Sequence, residues 1–316
     1  MNFVFALDSN IVQHLAVTLL SLFEAHSNTD IEVFFMLIDV PDSDVRQIDT
    51  LCRQFSRVKA HFKPFSIADT HRFPISGHVS IATYARVFLT DVLPAEWSRV
   101  IYLDCDLIVR RSFAAIWDCN MENVAIAGVP EPGKSRHAEL GIPEGTPYLN
   151  AGVLLINLTY WREHDVKGQL LSYIWTYPEK LKFHDQDALN ACLNKNVLQL
   201  PYCWNVTHIF YLGPYQSLGG IMGSQLLKLQ RDPAVVHFTG PTKPWMYIMT
   251  HPFQEEYWTL LKRTPFGHAQ RDPRTLRTFV FRNLRWVYRT SKRFSFLAYS
   301  FLAEWSSGRR TQLDQG

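Results

Sequence analysis

The first 55 residues alternate between strand-like and helix-like apolar patterns. Asn2–Ala6 and Ile31–Ile38 are short, nearly continuous apolar runs, as in strands that are buried on both faces. Ile11–Ala25 and Ser43–Phe55 follow them in turn and carry apolar residues at helical spacing. Strands that alternate with helices pair in parallel through right-handed crossovers. The chain is therefore predicted to form an α/β fold around a parallel sheet.

The alternation continues along the chain. Apolar runs predict further strands, and segments of helical periodicity predict further helices. The predicted strands are Val58–Phe62, Arg99–Leu103, Val124–Gly128, Gly152–Asn157 and Val235–Phe238, and the predicted helices are Ile81–Leu89, Val166–Thr176 and Gln186–Cys192. No internal repeat or long low-complexity linker interrupts this order. Residues 1–263 are predicted to form one domain.

Composition argues against several classes of protein. Hydrophobic residues make up 47% of the chain, which is enough for a substantial core, and the net charge of +3 is too small to indicate nucleic-acid binding. The five cysteines are widely spaced without a CxxC pair, which argues against a disulfide framework and a zinc site. The N-terminus MNFVFALDSN lacks a signal-peptide pattern, and no apolar run reaches the roughly 20 residues that span a bilayer. We therefore expect a cytoplasmic protein.

The character of the chain changes near Thr264. Residues 273–294 carry seven Lys or Arg and no acidic residue, and their apolar residues at helical spacing are Leu276, Val280, Leu284 and Val287. Such a segment is either a helix with a solvated charged face or an interfacial helix on an anionic membrane, and its interleaved aromatic residues favour the second interpretation. Nucleic-acid binding is the less favoured alternative, because no recognition module accompanies the charge. Residues 264–316 are thus predicted to be a basic, helical membrane-association tail.

The stretch VIYLDCDLIVR, residues 100–110, places two carboxylates inside an apolar run. A DxD after a buried strand can bind a divalent cation, because the middle residue turns away and two oxygen ligands reach one ion. By itself a DxD more often indicates a capping or salt-bridged pair. The position favours a ligand site, since Asp8 and Asp104 both follow predicted parallel strands, whose carboxyl ends bind ligands. Cys105, between Asp104 and Asp106, is predicted to point into the core.

Two further segments carry residues that suit phosphate or sugar chemistry. In VVHFTGPTKPW, His237 is either a satisfied core residue or a ligand, Gly240 permits close backbone approach, and Lys243 offers a point charge for phosphate. Together these three residues suit a metal-bound diphosphate. In HDQDALN, Asp185 and Asp187 are explained by helix capping and the helix dipole alone.

Six motifs stand in a fixed order along the chain. They are FALDSN near the start, SIATYAR at 80–86, YLDCD at 102–106, YLNAGVLLINL at 148–158, HDQDALN at 184–190 and HFTGPTKPW at 237–245. In this order and spacing the chain resembles glycosyltransferase family 8, especially the short bacterial members that add galactose or glucose to lipopolysaccharide or lipooligosaccharide. The resemblance covers about the first 260 residues. It implies a Rossmann-like nucleotide-sugar transferase fold of the GT-A type.

The resemblance also implies a donor site for a UDP-sugar and a divalent ion. The positions that bind Mn²⁺ in this family match Asp104, Asp106 and His237, and two carboxylates with one imidazole suit such an ion, with Mg²⁺ as the alternative. The residues that it assigns to the nucleotide, the diphosphate and the donor sugar are Ala6, Asp8, Asn10, Arg86, Asp104, Asn150, Ala151, Asp185, Gln186, Gly240 and Lys243.

The family transfers sugars with retention of the anomeric configuration. Retaining glycosidases use a carboxylate nucleophile, but the matching residue here is Gln186, whose amide is a poor nucleophile. The resemblance therefore favours a same-face substitution through an oxocarbenium-like state. Asp185 and Asp187 remain alternative nucleophiles or electrostatic groups, as in a double displacement. The acceptor-side positions are His78, Phe183, His184 and Thr239.

The expected function is the transfer of galactose, or of glucose, from UDP to a saccharide of a lipopolysaccharide or lipooligosaccharide core. The alternatives are a glucosyltransferase of the same pathway, a non-catalytic nucleotide-sugar or glycan-binding protein, and a metal-dependent nucleotide-sugar hydrolase. The expected location is peripheral, on the anionic inner face of the bacterial cytoplasmic membrane. No nucleic acid is expected as a partner.

Overall fold

The computed structural model describes residues 1–76, 80–133, 136–212, 221 and 223–271, together with residues 275, 276, 278–280, 282–284, 287 and 291. Its strands are β1 Asn2–Asp8, β2 Ile31–Ile38, β3 Val58–Pro64, β4 Arg99–Leu103, β5 Leu107–Val109, β6 Ile126–Pro130, β7 Leu149–Asn157, β8 Val197–Gln199, β9 Val206–Thr207 and β10 Val235–His237. The α-helices are α1 Val12–Ala25, α2 Asp42–Cys52, α3 Leu89–Val92, α4 Ala114–Trp117, α5 His137–Leu140, α6 Leu158–Glu163, α7 Val166–Thr176, α8 Asp185–Leu193, α9 Ile209–Leu212, α10 Gly223–Arg231 and α11 Gln254–Leu261. Shorter 3-10 helices cover Thr70–Arg72, Ile81–Phe88, Pro178–Lys180 and Tyr202–Asn205.

A seven-stranded sheet in the order β3-β2-β1-β4-β7-β6-β8 forms the centre of the fold. The first four strands of that order are parallel, β7 is antiparallel to both of its neighbours, and β8 is parallel to β6. A second sheet has the order β5-β10-β9, with β10 antiparallel to β5. The predicted parallel pairing is confirmed for β1 to β4. The apolar pattern of β7 does not show its direction, because a strand buried on both faces is apolar in either orientation.

The two faces of the central sheet pack into two separate cores. Phe3, Phe5 and Leu7 of β1 belong to the larger core, which also includes α1, α11 and the second sheet. Val4 and Ala6 belong to the other core, together with the 3-10 helix Ile81–Phe88 and helices α6, α7 and α8. Side chains alternate between the faces of a strand, so both faces of β1 are covered. This burial explains the continuous apolar runs of the sequence.

One predicted helix differs in kind from the observed element. The segment predicted as a helix over Ile81–Leu89 is a 3-10 helix over Ile81–Phe88 that continues into α3. The Ser80 side chain accepts a hydrogen bond from Ala82 N at the start of this segment. Over so short a stretch, apolar spacing does not separate 3.0 from 3.6 residues per turn.

Beyond residue 271, the described residues of the tail are helical except for residue 275. Four apolar side chains of this helix are 81%, 45%, 64% and 57% exposed, namely Leu276, Val280, Leu284 and Val287. Within the described part of the chain, no helix combines the length and the apolar character needed to cross a membrane. The described part of the tail therefore presents an apolar stripe along a helical segment.

The described residues of the tail contact the preceding residues through two arginines and through core packing. Arg271 Nη2 donates a hydrogen bond of 2.6 Å to Glu255 Oε2. Arg282 donates hydrogen bonds to the carbonyl oxygens of Tyr247, at 2.5 Å, and Met249, at 2.9 Å. Phe266 packs in the larger core, so packing continues beyond residue 263. The division of the chain at residues 263 and 264 stays a prediction.

Candidate functional site

Three potential metal ligands meet at the carboxyl end of β4. Asp104 and Asp106 follow this strand, and His237 is the last residue of β10. His237 Nε2 lies 3.6 Å from Asp104 Oδ2 and 3.3 Å from Asp106 Oδ1, and ligand atoms of the three residues lie within 4.8 Å of one another. In the described ranges no other group of His, Cys, Asp and Glu is this compact. Two carboxylates and one imidazole in such a cluster fit Mn²⁺ or Mg²⁺.

Strand pairing places these ligands. His237 pairs with Leu107 in the β5–β10 ladder, and Asp104 N donates a hydrogen bond of 2.9 Å to Gly152 O on β7. A Cβ atom added at Gly152 would lie 2.6 Å from Asp104 Oδ2 and closer still to the His237 ring. The absence of a side chain at Gly152 therefore lets both ligands approach β7, as glycine does where groups come close together.

The end of β1 lies at the same edge of the sheet. β1 and β4 are parallel neighbours, with Phe3 paired with Ile101, so their carboxyl ends lie side by side. Asp8 Oδ1 accepts a hydrogen bond of 2.9 Å from Asn10 N. Cys105 is 7% exposed and its thiol donates to Ala6 O at 3.5 Å, which confirms that it points into the core. A nucleotide-binding role for Ala6, Asp8 and Asn10 stays a prediction.

Lys243 reaches the ligand cluster from the loop after β10. Its ammonium pairs with Asp106 Oδ2 and donates a hydrogen bond of 2.9 Å to Phe238 O. Burial raises the pKa of Asp106, but the charge of Lys243 and the contact with His237 outweigh burial and hold that pKa below its ordinary value. Gly240 has a φ of +84°, which favours glycine and lets the loop turn back toward Asp106.

A buried arginine joins the ligand cluster to helix α8. Arg86 is 3% exposed, its Nη2 donates to Asp104 Oδ1 at 3.1 Å, and its Nε lies 2.7 Å from Asp185 Oδ2. Arg86 also donates to Ala151 O, and the Thr83 hydroxyl donates to Asp185 Oδ1. Burial raises the pKa of Asp185 to about 6, against the opposing charge of Arg86. One guanidinium thus stabilises carboxylates from two of the predicted motifs.

Gln186 and Asp187 occupy different environments. Gln186 is half-buried, its Oε1 accepts from Ala151 N at 3.0 Å, and its Nε2 donates to Tyr148 Oη at 3.2 Å. Asp187 is fully buried and accepts hydrogen bonds from Arg136, from the Tyr148 hydroxyl and from a backbone N–H. Three donors hold the Asp187 carboxylate inside the protein. Gln186 instead contacts Ala151, whose carbonyl oxygen accepts a hydrogen bond from Arg86.

The predicted acceptor-side residues are only partly described. His78 lies outside the described residues. Phe183 is 38% exposed, whereas His184 is buried and its Nε2 accepts a hydrogen bond of 3.0 Å from Ser76 N. The Thr239 hydroxyl lies 2.5 Å from His208 Nδ1. Contact of these residues with an acceptor stays a prediction.

Several residues that support the site were missed in the sequence. These residues hold the metal ligands and helix α8 in place, and none of them was predicted as a site residue. They are Glu131, Arg136, Tyr148, Gly152 and Asn205. Glu131 directly follows β6, and Asn205 directly precedes β9. The position of Glu131 after a buried strand was a signal in the sequence, whereas Asn205 precedes a strand too short to be predicted. Arg136 had no such signal.

Comparison with known proteins decides the family. The profile described as glycosyl transferase family 8 matches residues 2–249. The chain belongs to this family. General stress protein A of Bacillus subtilis is 28% identical to this family 8 chain over 280 residues, which are 84% of the chain and 95% of that protein.

Two further comparisons concern sugar transfer. Lipopolysaccharide 1,3-galactosyltransferase of Salmonella typhimurium is 25% identical over 281 residues, covering 85% of this family 8 chain and 80% of that protein. The solved structure of the galactosyltransferase LgtC in complex with donor and acceptor sugar analogues superimposes with a TM-score of 0.70 and 26% sequence identity. The match covers 84% of this chain and 96% of the LgtC chain. The predicted GT-A fold is confirmed, and the family 8 chain is a glycosyltransferase.

Proposed function

We propose that the chain transfers galactose, or alternatively glucose, from a UDP-sugar to a saccharide acceptor of a lipopolysaccharide or lipooligosaccharide core, with retention of configuration. The observation that carries this proposal is the convergence of Asp104, Asp106, His237 and Lys243 at one edge of the sheet in a family 8 chain. The names of the related galactosyltransferases support the substrate class.

The ligand cluster fits a divalent ion, with Mn²⁺ as our assignment and Mg²⁺ as the alternative. Asp104, Asp106 and His237 would hold this ion, which when bound supplies positive charge for the diphosphate of the donor. Lys243 contacts Asp106 from the side of the Gly240 turn. Its ammonium can exchange this contact for a phosphate oxygen, and so stabilise the negative charge of the leaving diphosphate.

The donor site that we propose follows the edge formed by β1, β4 and β7. The carboxylate of Asp8 accepts from the uracil or ribose, beside Ala6 and Asn10 at the end of β1. Gly240 and Lys243 bind the diphosphate. The donor sugar lies among Arg86, Asp104, Asn150, Ala151, Asp185 and Gln186. Hydrogen bonds and ion pairs that connect all of these residues except Asn150 support one shared pocket.

We assign retention to a same-face substitution. The bond from the anomeric carbon to the diphosphate breaks, the bond to the acceptor oxygen forms on the same face, and the acceptor proton passes to a departing phosphate oxygen. Burial of Asp185 against Arg86 and of Asp187 among its three donors disfavours either carboxylate as a nucleophile. The half-buried amide of Gln186 would stabilise the cationic sugar through its carbonyl oxygen.

Replacement of Gln186 with Ala is expected to lower kcat by about 100-fold, because a dipole directed at the transition state is lost. The donor KM should change much less. Steady-state kinetics with UDP-galactose and UDP-glucose measure both constants. Gln199→Ala, an exposed glutamine at the end of β8, is the matched control. A change in donor KM with kcat intact would show that Gln186 is a uniform binding contact.

The proposed activity is tested by incubation with each UDP-hexose, with and without Mn²⁺ and with and without a lipooligosaccharide acceptor. We expect Mn²⁺-dependent formation of an elongated acceptor. Turnover that is mainly independent of the acceptor would indicate a nucleotide-sugar hydrolase. Binding of UDP-sugar without turnover in any combination would indicate a non-catalytic binder. The anomeric configuration of the product then tests retention.

We also propose that the tail binds the protein peripherally to the inner face of the bacterial cytoplasmic membrane. The four exposed apolar side chains of the tail helix could enter the interface between headgroups and acyl chains, while the basic residues of segment 273–294 contact anionic lipids. The exposed stripe supports this role, because it buries apolar surface once a membrane is present.

The double substitution Leu284→Ser and Val287→Ser is expected to weaken binding to phosphatidylglycerol-containing vesicles by at least about 10-fold, since two exposed apolar side chains no longer enter the membrane. Vesicle co-sedimentation measures this partition, and purely zwitterionic vesicles should bind both proteins weakly. The control Ile75→Ser removes an aliphatic side chain that is 54% exposed outside the tail. Equal partition of the double variant and the unmodified protein would refute the membrane role of the stripe.

A further inference from the structure

Three buried side chains form a hydrogen-bonded chain that ends on the imidazole of His237. Glu131 Oε2 accepts from Asn150 Nδ2 at 2.6 Å, Asn150 Oδ1 accepts from Asn205 Nδ2 at 2.8 Å, and Asn205 Oδ1 lies 2.8 Å from His237 Nδ1. These four residues are 6%, 6%, 1% and 2% exposed, in that order. This hydrogen-bonded chain therefore runs through the interior, from the end of β6 past β7 and β9 to β10.

Two groups of fixed character set the direction of every bond in this chain. The N–H of Gly152 can only donate, and it donates to Asn150 Oδ1 at 3.0 Å. The carboxylate of Glu131, at the other side of Asn150, can only accept when ionised. Both contacts orient the Asn150 amide in the same way, with its oxygen toward Asn205.

The orientation of Asn150 determines the rest of the chain. Asn205 must present its NH₂ group to the Asn150 oxygen, and its own oxygen then faces the ring of His237. An amide oxygen accepts but does not donate, so His237 Nδ1 must carry the hydrogen. The lone pair of His237 Nε2 is then directed at the carboxylates of Asp104 and Asp106.

We propose that Asn205 is a positioning residue that fixes His237 as the Nδ1–H tautomer, with Asn150 and Glu131 as its anchor. This inference rests on the proposed metal site, because only this tautomer offers a lone pair to an ion between the carboxylates. Metal-binding histidines commonly donate their other N–H to an oxygen, which fixes the tautomer and the plane of the ring. Asn205 itself does not touch the ion in this arrangement, and it acts through His237.

The hydrogen-bonded chain also changes the interpretation of Asn150. Its carbonyl oxygen accepts two hydrogen bonds from the protein, and its NH₂ group donates to Glu131. These contacts make Asn150 a link between Glu131 and the metal site. A contact with the donor sugar would add to this role.

The tautomer can be measured in the metal-free protein, without donor or turnover. The protein has 12 histidines, so ¹⁵N-histidine labelling gives few ring signals. Comparison with the spectrum of His237→Gln identifies the signals of His237. At mildly alkaline pH we expect the two-bond ¹H–¹⁵N pattern of an Nδ1–H ring at His237. A predominant Nε2–H form in the unmodified protein would overturn the proposal without any variant.

Two substitutions at one position then separate positioning from general damage. Asn205→Leu removes the acceptor, and we expect mixed tautomers of His237 and Mn²⁺ affinity about 10- to 100-fold weaker. Asn205→Asp keeps an oxygen toward His237 Nδ1 but loses the donor to Asn150 Oδ1. We therefore expect a lower unfolding temperature, but a single Nδ1–H tautomer and Mn²⁺ affinity not more than about threefold weaker than in the unmodified protein. Free Mn²⁺ is measured by electron paramagnetic resonance, and thermal unfolding shows whether each variant is folded.

The results distinguish this inference from the proposed function. Equal Mn²⁺ affinity and a single tautomer in folded Asn205→Leu would contradict the positioning role, even if the protein transfers sugar. An Nδ1–H tautomer that is lost only in Asn205→Leu would support positioning, even if no UDP-hexose were turned over. In that second case the proposed function, and not the hydrogen-bonded chain, would be wrong.

Discussion

Replacement of Arg86 with Met is expected to lower the free energy of unfolding by about 3–5 kcal/mol. The guanidinium is 3% exposed and pairs with Asp185, which is equally buried, and with Asp104. Met has a similar length but no charge, so the variant leaves the Asp185 carboxylate in the interior without its cation. Breaking a buried ion pair from one side has this large effect because the remaining charge is not compensated. Urea denaturation followed by circular dichroism measures the change.

A second substitution provides the control for this effect. Asn in place of Asp185 removes the uncompensated charge, so the double variant Arg86→Met with Asp185→Asn should regain at least about half of the lost free energy. Arg53→Met, at a surface pair with Asp49 in which the arginine side chain is 78% exposed, should cost less than about 1 kcal/mol. A double variant no more stable than Arg86→Met would show that Arg86 and Asp185 are not energetically coupled.

Replacement of Asp106 with Asn is expected to lower the rate of sugar transfer by at least about 1,000-fold, or about 4 kcal/mol of transition-state stabilisation. The amide keeps the shape of the side chain but removes the charge that faces His237 and Lys243. An ion bound by fewer charged ligands gives the diphosphate less support, and Lys243 loses its partner. Initial rates at saturating Mn²⁺ and donor measure the effect.

Asp91→Asn is the matched control for the charge change. Asp91 lies on α3, its side chain is 43% exposed, and it pairs at the surface with Lys167. We expect this variant to transfer sugar at nearly the unmodified rate, because surface pairs contribute little to stability. Asp106→Asn activity within a few fold of the control would refute the ligand assignment of Asp106.

The parts of the fold that follow from local pattern were predicted. The alternation over the first 55 residues gave the parallel strands β1 and β2 with helices α1 and α2. The antiparallel direction of β7 and the second sheet were not predicted, because both depend on pairing between distant segments. Short elements such as β5 and β9 contain two or three residues, too few for a periodic pattern.

The site divides in the same way. Asp104, Asp106, His237 and Lys243 were found because each follows a predicted strand or lies in a motif that resembles the family. The partners of the α8 carboxylates, Arg136 and Thr83, were not found from the sequence, because they are far from α8 along the chain. Arg136 lies 51 positions before Asp187, and Thr83 lies 102 positions before Asp185. The acidic residues of HDQDALN occupy the first turn of α8, as predicted, but their main partners are buried side chains.

The central claim is that the carboxyl end of β4 binds a nucleotide diphosphate through a divalent ion. Isothermal titration of UDP into the unmodified protein, with and without Mn²⁺, and into Asp106→Asn with Mn²⁺, tests it most directly. We expect UDP to bind the unmodified protein only when Mn²⁺ is present, and to lose most of this affinity in Asp106→Asn. Equal UDP affinity in all three titrations would contradict the claim.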